Sequence, residues 1–436
     1  MGTAAVVSTN LLVRSEPSDG VERSATQLGR NEIRIGLLGL GTIGRAVADA
    51  APAAGARCVS ALVRNPERHA NSGLNLEREG SRVLNSGLDV LVETLGGVEP
   101  ARTLVAAALD RGIPVVTANK SLMAAHGPEL RARAALAGVP LLYEAAVVAG
   151  VPFVGALSSR PGLRSVTRIT GILNGTSHAI TTAIERGAGF EAALADAQAS
   201  GYAEPDSSAD VSGRDAAEKL AILLQLCGAP RTTVQDVHRV GIDSLQSADF
   251  VVARALGGSI KPIAAASLGP SGWGSWVGPA FVHRSHLFAN LTGVTNALEL
   301  APRIGAPITF VGPGAGPDVT AQTILDDVVQ AISQPTGSNE RSGSSERSGS
   351  SEPTQSREQP PSAPWFLRLA AASLNVANLA EFLASRGVPA IRIASVSDGL
   401  GVLTTTAPYG CARAIATALE SLNIQVTLLP ALTGEK

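Results

Sequence analysis

Aromatic residues are scarce in this 436-residue chain, at 3% of positions, with three tryptophans, three tyrosines and eight phenylalanines. Its core must therefore rest on Ala, Val, Leu and Ile. The three cysteines, Cys58, Cys227 and Cys411, lack the spacing of a zinc site or a disulfide framework, which fits a reducing cytoplasm. No run of Lys or Arg occurs, and 35 basic against 37 acidic residues leave a net charge of −2, so neither nucleic acid nor an anionic membrane surface is expected as a partner. No apolar run reaches the roughly 20 residues that span a bilayer. No basic, apolar and cleavage-site segments follow one another at the N-terminus, so a cytoplasmic location is expected. What is present is 45% apolar and 17% charged residues, enough for two or three domains with well-buried cores.

The pattern along the chain divides it. Residues 1–31 are polar and Ser-rich and read as a disordered extension. From Ile33 short apolar runs alternate with helical patterns: strands at 33–38, 58–63, 90–95, 113–117 and 141–144, helices at 45–54 and 100–111. That alternation predicts an α/β fold with a parallel sheet and right-handed crossovers over 32–150. Residues 151–314 mix strand-like pieces (166–172, 260–267, 278–283) with helical ones (190–200, 215–226, 247–255) and read as an α+β domain. A helix at about 315–332 has apolar residues at helical period and returns to the first sheet. Residues 333–363 carry GluArgSerGlySerSer twice in tandem, at 340–345 and 346–351, and read as a flexible linker. Residues 364–436 follow a strand-helix-strand-strand-helix-strand order, a small ferredoxin-like module.

GLGTIG at 39–44 follows the first strand and opens a helix. Gly39 permits a tight turn, Gly41 lets backbone approach a pyrophosphate, and Gly44 lets helix and strand pack closely. Thr42 and Ile43 lie at the helix N-terminus, which faces the phosphates. The strand-turn-helix context makes this a dinucleotide site rather than a bare glycine turn. Arg64 ends the second strand where an acidic residue would hold a ribose 2′-hydroxyl; it suits a 2′-phosphate and so NADP over NAD. Lys120, in ThrAlaAsnLys at 117–120, follows another strand end and falls in the ligand crevice. Glu144 stands beside a Gly/Ala-rich backbone that could offer carbonyls to a cation, or could simply make a tight connection.

The segment 201–223, GYAEPDSSADVSGRDAAEKLAIL, packs Glu204, Asp206, Asp210, Asp215 and Lys219 into a loop and helix. Ser212 with Asp215 resembles a capping box. Asp215 and Lys219 share a helical face, beside an apolar stripe of Ala216, Leu220, Leu223 and Cys227. By spacing alone this is either a solvated ion pair or a site that orients and protonates a small amino acid. If Lys120 and Lys219 converge, each should lower the other's pKa, with Asp215 opposing the effect.

Together GLGTIG, VETLGG (92–97), TANK (117–120), YEAAVVAGVP (143–152), GILNGTS (171–177), GYAEPD (201–206), DVSGRDAAEKLAIL (210–223) and GPGAG (312–316) resemble homoserine dehydrogenase, in order from 33 to about 332. The resemblance implies a Rossmann-type nucleotide-binding domain, an α+β substrate-binding and dimerisation domain, and a C-terminal ACT-like module. It implies reversible oxidation of L-homoserine to L-aspartate 4-semialdehyde with NAD or NADP, in threonine and methionine biosynthesis, by a homodimer. Lys219 matches the catalytic lysine, Lys120 a lysine close to nicotinamide and substrate, and Asp215 a substrate-contacting aspartate. Glu204 and Asp210 match substrate-binding acids, and Gly201 and Gly316 lie near the cofactor. Glu144, with the backbone oxygens of Val147, Ala149 and Val151, matches a sodium site. The ACT-like module implies an amino-acid effector such as L-threonine.

The sequence departs from the family pattern in places. Val148 and Ala149 replace smaller residues in the sodium loop. Ser177, His178 and Ala179 follow Asn174-Gly175-Thr176 where many members have Thr, Asn and Tyr; His178 reads as a packed histidine rather than an acid–base group. Ser373-Leu374-Asn375-Val376 lacks the Asp and Gly of the effector turn. An aldehyde dehydrogenase would need a cysteine in a crevice loop, and none of the three sits in one. The alternative from another class is an amino-acid-binding regulatory protein with a degenerate dehydrogenase half.

Overall fold

The computed structural model describes residues 32–270, 272–333, 362–370, 375–397 and 399–433. The expected N-terminal extension, nearly all of the expected linker, and Ser373 and Leu374 of the effector turn lie outside them.

Six parallel strands form the first sheet: β1 (Ile33–Leu38), β2 (Ala56–Leu62), β3 (Leu76–Glu77), β4 (Val90–Glu93), β5 (Val115–Thr117) and β6 (Leu141–Leu142). Their order is β3-β2-β1-β4-β5-β6, with every pairing parallel. This is the Rossmann order, which reverses between β1 and β4 and opens a crevice at their C-terminal ends. The connecting helices are α1 (Thr42–Ala50), α2 (Gly80–Leu84), α3 (Ala101–Asp110) and α4 (Lys120–Ala137). The sequence reading missed α4, which carries Pro128 in its interior and buries residues on several sides. Pro128 leaves the Ala124 carbonyl without its helical N–H partner, and Gln225 Nε2 donates to that carbonyl instead at 2.9 Å, while Asn119 caps the helix start by accepting from Leu122 N at 3.0 Å.

Next in the chain come α5 (Phe153–Ser159), β7 (Val166–Ile172), α6 (Gly175–Glu185), α7 (Phe190–Ala199), α8 (Ser208–Val211), α9 (Arg214–Leu226), β8 (His238–Arg239), α10 (Ser247–Ala255), β9 (Gly258–Gly269), β10 (Gly272–His283), β11 (Thr295–Pro302) and β12 (Ile308–Pro313). The α11 helix (Pro317–Ser333) then returns and packs on α1, β4 and β5, as the sequence predicted. Its Ile324, Leu325 and Val328 share a buried cluster with Ile35 and Val92 of the first sheet and Val47 of α1. None of the helices in the described residues is long and apolar enough to cross a membrane.

The C-terminal elements are β13 (Trp365–Ala370), α12 (Val376–Ser385), β14 (Ala390–Val396), β15 (Gly399–Thr404), α13 (Tyr409–Glu420) and β16 (Gln425–Leu432). The four strands run β16-β13-β15-β14, the strand order of a ferredoxin-like unit. They do not stand apart. β16 pairs in parallel with β10 through Phe281 and Val282, so the strands of both units form one ten-stranded sheet. Phe281 stacks on Phe366 at 5.6 Å between ring centroids, inside a cluster that also holds Phe250, Leu256, Leu403 and Leu429.

One buried ion pair fastens this join. Arg368 Nε donates to Asp249 Oδ1 at 2.5 Å, with side chains 5% and 0% exposed. Arg368 also donates to Gln246 and Thr427. Asp249 caps α10 by accepting from Gln246 N at 2.8 Å. Arg368→Ala would strand a buried carboxylate, at a cost on the order of 3–5 kcal/mol. A clear fall in denaturation midpoint is expected, with much of it recovered in the double variant Arg368→Met/Asp249→Leu; equal losses in the two variants would contradict this.

His178 on α6 is fully buried, with Nδ1 2.8 Å from Thr295 O and Nε2 3.2 Å from Leu291 O. Burial lowers its pKa to about 4, helped by the Lys261 charge and opposed by the two carbonyls and by Glu185. It is a packed, neutral histidine, as its position in the motif suggested. Because its folded pKa lies below the unfolded value of about 6.5, its contribution to stability is lost as pH falls from there toward 4. NMR of ring-labelled protein should show one imidazole titrating near the lower value, absent in His178→Gln; six imidazoles all titrating near neutrality would refute it.

Candidate functional site

The first βα turn is built for close approach. Gly39 has φ of +97°, and a Cβ on Gly44 would collide with the Gly39 carbonyl, so helix and strand touch only because neither residue has a side chain. A Cβ on Gly41 would meet nothing within 4 Å, leaving open space over the α1 N-terminus, where Thr42 is exposed and Ile43 half-buried. Thr94 Oγ1 pins the turn by donating to Gly39 O at 3.1 Å. This cradle fits the pyrophosphate of a dinucleotide. Arg64 is exposed, two residues past β2. The next acid, Glu67, pairs with Arg78 at 2.6 Å and does not oppose Arg64.

The loop after β5 is braced from β4. Glu93 is buried and accepts from Thr117 Oγ1 at 2.5 Å, Leu95 N at 2.8 Å and Asn119 Nδ2 at 3.2 Å. Burial raises the Glu93 pKa against those three donors. Asn119 is thus locked as the cap of α4, and Lys120 begins that helix at the crevice. The role of Glu93 was not legible beforehand; its place at a strand end within VETLGG was the available signal.

Opposite stands α9. Its cap differs from the predicted capping box: Ser212 closes α8, and Gly213, at φ of +74°, precedes Arg214 with no side-chain cap. A left-handed residue is needed to turn from one helix directly into the next, which removes Ser212 from the N-cap geometry. The apolar stripe Ala216, Leu220, Leu223 and Cys227 is buried as expected. Asp215 then meets two ammonium groups, Lys120 Nζ at 3.0 Å and Lys219 Nζ at 3.1 Å. The side chains of Lys120, Lys219 and Asp215 are 40%, 12% and 8% exposed, so Lys120 faces the open crevice and the other two line its floor. Lys219 Nζ also donates to Leu173 O at 2.8 Å.

Asn174 completes the group. Its Oδ1 accepts from Ser177 N at 2.7 Å and so caps α6, which fixes the amide orientation. Its Nδ2 donates to Asp210 Oδ1 at 2.6 Å and to Asp215 Oδ2 at 2.8 Å. Asn174 was visible in GILNGTS, but nothing in the sequence showed that it bridges two carboxylates. Burial pushes the Asp215 carboxyl upward, yet the Lys219 and Lys120 charges with the Asn174 bond hold it well below the usual carboxylate range. Burial raises the Asp210 pKa, opposed by Asn174 and reinforced by the Asp215 charge. The pKa of Lys120 is raised, chiefly by the Asp215 charge and against the effect of burial. The expected lowering of Lys120 by its fellow lysine is outweighed by the charge of the buried Asp215 carboxylate, 3.0 Å away.

The remaining predicted residues divide. Glu204 and Gly201 lie in an exposed loop, Gly201 at φ of +74°, and Glu204 stands outside the Asp215 group. Thr176 Oγ1 donates to Tyr202 O at 2.5 Å and holds that loop against the start of α6. Asp206 shapes the loop, accepting from Ser208 N at 3.1 Å. Gly316, at φ of +126°, precedes α11. Glu144 is a cap: its carboxylate accepts from Phe153, Val154 and Gly155 N–H at 2.6–2.7 Å at the start of α5. The Ala149 carbonyl accepts from Thr323 Oγ1 and that of Val151 from Phe153 N. Val147 is buried beside them. The Ala149 and Val151 carbonyls each keep a second lone pair beyond these bonds, so the loop's backbone oxygens remain able to face a cation.

Comparison with known proteins bears on the whole arrangement. A family model described as "Homoserine dehydrogenase, NAD binding domain" matches residues 39–144, and one described as "Homoserine dehydrogenase" matches 152–329. A homoserine dehydrogenase of Mycobacterium leprae is 41% identical over 263 residues, 59% of each chain, so this chain spans about three-fifths of that relative's length. That of Pseudomonas aeruginosa is 33% identical over 71% of this chain and 74% of its own. The structure of a homoserine dehydrogenase from Thiobacillus denitrificans superposes with a TM-score of 0.78 at 29% identity, covering 92% of this chain and 98% of that one. With an NAD(P)-binding sheet, matching family models over both units and relatives aligned over most of their length, the chain belongs to the homoserine dehydrogenase family.

Proposed function

We propose that the protein oxidises L-homoserine reversibly to L-aspartate 4-semialdehyde with NADP, or with NAD as the weaker cofactor. The observation that carries this reading is the single buried carboxylate of Asp215 held between Lys120, from the nucleotide-binding half, and Lys219, from its own helix. Two lysines on one fixed carboxylate, at the mouth of a dinucleotide crevice, suit an alcohol whose proton must be managed beside a hydride acceptor. A neighbour described as a hyperthermophilic archaeal homoserine dehydrogenase was solved in complex with NADPH. The domain reading goes with this: nucleotide binding at 32–150 with α11, substrate binding and dimerisation at 151–314, and an ACT-like module at 364–436 that senses an amino acid such as L-threonine.

The cofactor, bound over Gly39, Gly41 and Gly44, supplies the hydride acceptor. Every other task falls to side chains. Lys219, the less exposed lysine, takes the hydroxyl proton of homoserine as the neutral amine, after its own proton has passed to water in the crevice, and returns a proton as the ammonium in the reverse direction. Lys120, kept protonated by Asp215, offsets negative charge on that oxygen. Asp215 holds both ammonium groups in register, and Asn174 holds Asp215. Asp210 and Glu204 receive the substrate ammonium, which requires the exposed 201–206 loop to fold over the bound amino acid. The backbone oxygens of Val147, Ala149 and Val151, beside Glu144, would hold a sodium ion, while every proton step runs through the side chains named above.

Full-length protein incubated with L-homoserine and NADP should generate absorbance of the reduced cofactor; none across pH and salt would sink the enzyme reading and favour the regulatory one. Lys219→Ala should lower kcat by about 10²–10⁴-fold while cofactor affinity stays within a few-fold, and near-normal turnover would remove its role. Arg64→Ser should shift the NADP/NAD preference toward NAD by roughly 10-fold or more, read as a ratio of kcat/KM values. An unchanged ratio would discharge Arg64.

A further inference from the structure

Asn296 is 1% exposed, and neither its Nδ2 nor its Oδ1 has a hydrogen-bond partner. Burying an amide without partners is costly, and a leucine of similar volume would avoid the cost. The residue begins to make sense from its surroundings. Its backbone lies in β11 opposite Gly312. Its amide lies flat against Gly314, where any Cβ would collide with the whole group. On the other side is the start of α6, where a Cβ on Gly175 would stand 3.5 Å from Asn296 Oδ1. Gly175 adjoins Asn174, which grips Asp215 and Asp210, and Leu173, whose carbonyl receives Lys219.

The amide is therefore sandwiched between the helix that borders the catalytic lysine and the 312–316 loop that leads into α11. That helix packs on α1 of the dinucleotide cradle. The loop is held to the neighbouring strand connection by two backbone bonds, Ala149 N to Gly314 O at 3.3 Å and Gly150 N to Pro313 O at 3.0 Å. Its Pro313 and Ala315 are exposed, and Gly316 has open space around its Cα. Gly314 is the residue that covers this face of the Asn296 amide.

We propose that Asn296 is a specificity-determining residue for the carboxamide of the nicotinamide ring. A primary amide offers one acceptor and a donor pair in one plane, and its best complement is another primary amide. Nδ2–H donates to the carboxamide oxygen, and Oδ1 accepts from the carboxamide N–H. Gly314 is the cover that the bound ring displaces, and the absence of a Cβ there lets the cover rest directly on the amide. This rests on the reading of the protein as a nicotinamide-dependent dehydrogenase.

The test uses full-length protein and its Asn296→Ala and Asn296→Leu variants, with affinities from titration calorimetry. Three ligands are compared: NADP, its 3-acetylpyridine analogue, which keeps the acceptor but replaces the amide NH₂ with a methyl group, and adenosine 2′,5′-bisphosphate, which has no nicotinamide. Wild type should bind NADP about tenfold more tightly than the analogue, whereas the variants, which lose both bonds, should bind NADP and the analogue equally, about a hundredfold below wild-type NADP binding. The bisphosphate should bind all three proteins alike, and the ligand-free melting temperature of Asn296→Leu should match or exceed the wild-type value. A lower ligand-free melting temperature with the NADP-to-analogue ratio retained would assign the amide to the fold and overturn the proposal. Failure of wild type to bind either NADP or the bisphosphate would instead overturn the dehydrogenase reading beneath it.

Discussion

The site depends on keeping one carboxylate ionised out of water. Asp215 lies under its own helix, where burial alone would neutralise it, and two ammonium groups and one amide reverse that tendency. Each of the three must then be held in turn. Lys219 is on the same helix four residues along. Asn174 is fixed by capping α6. Lys120 comes from across the crevice, and its position rests on Asn119, Thr117 and finally Glu93 at the end of β4. Residues from three strand ends and three helices thus answer to a single charge. This is why the segments that build the site, from VETLGG to DVSGRDAAEKLAIL, are spread over more than a hundred positions.

Much of the architecture was legible because its signals are local. The strand 33–38 and the glycine turn after it, the helix 247–255, and the strand 365–370 read directly from period and punctuation. The Asp215–Lys219 pair and the stripe beside it follow from a spacing of four. What escaped the sequence was non-local or contrary to propensity. The α4 helix hides behind Pro128 and Gly127. The β11–β12 hairpin and α6 have weak patterns and are defined by what they pair with. The capping box failed because Gly213 turns the chain left-handed, which no side-chain pattern announces.

Charge sign and charge distance explain the other differences. A second lysine nearby should lower the pKa of Lys120, but the buried Asp215 carboxylate in direct contact with it outweighs that effect. The same reasoning separates Glu204 from Asp210. The two acids lie six residues apart, yet only Asp210, on α8, receives Asn174, and Glu204 in the preceding loop is exposed. At the other end of the molecule the ferredoxin-like strands looked self-contained in sequence. Their pairing with β10 and the buried Arg368–Asp249 contact make them continuous with the substrate half.

The packing of α4 against α9 has a further consequence. Leu122, Met123, Leu130 and Ala134 share one apolar cluster with Ala216, Leu220, Leu223 and Leu224. Gln225 adds hydrogen bonds to Ala124 O at 2.9 Å and Thr232 O at 3.0 Å, and Ser121 donates to Glu218 across the same seam. The helices bearing the two lysines are thereby one solid body, although they belong to different halves of the chain. A jaw-like hinge between those halves would have to tear this seam open at every catalytic cycle. Entry and exit of small molecules are left to the flaps around the rim, chiefly 201–206 and 312–316. A small molecule therefore reaches Asp215 past those loops rather than through a parting of the two halves.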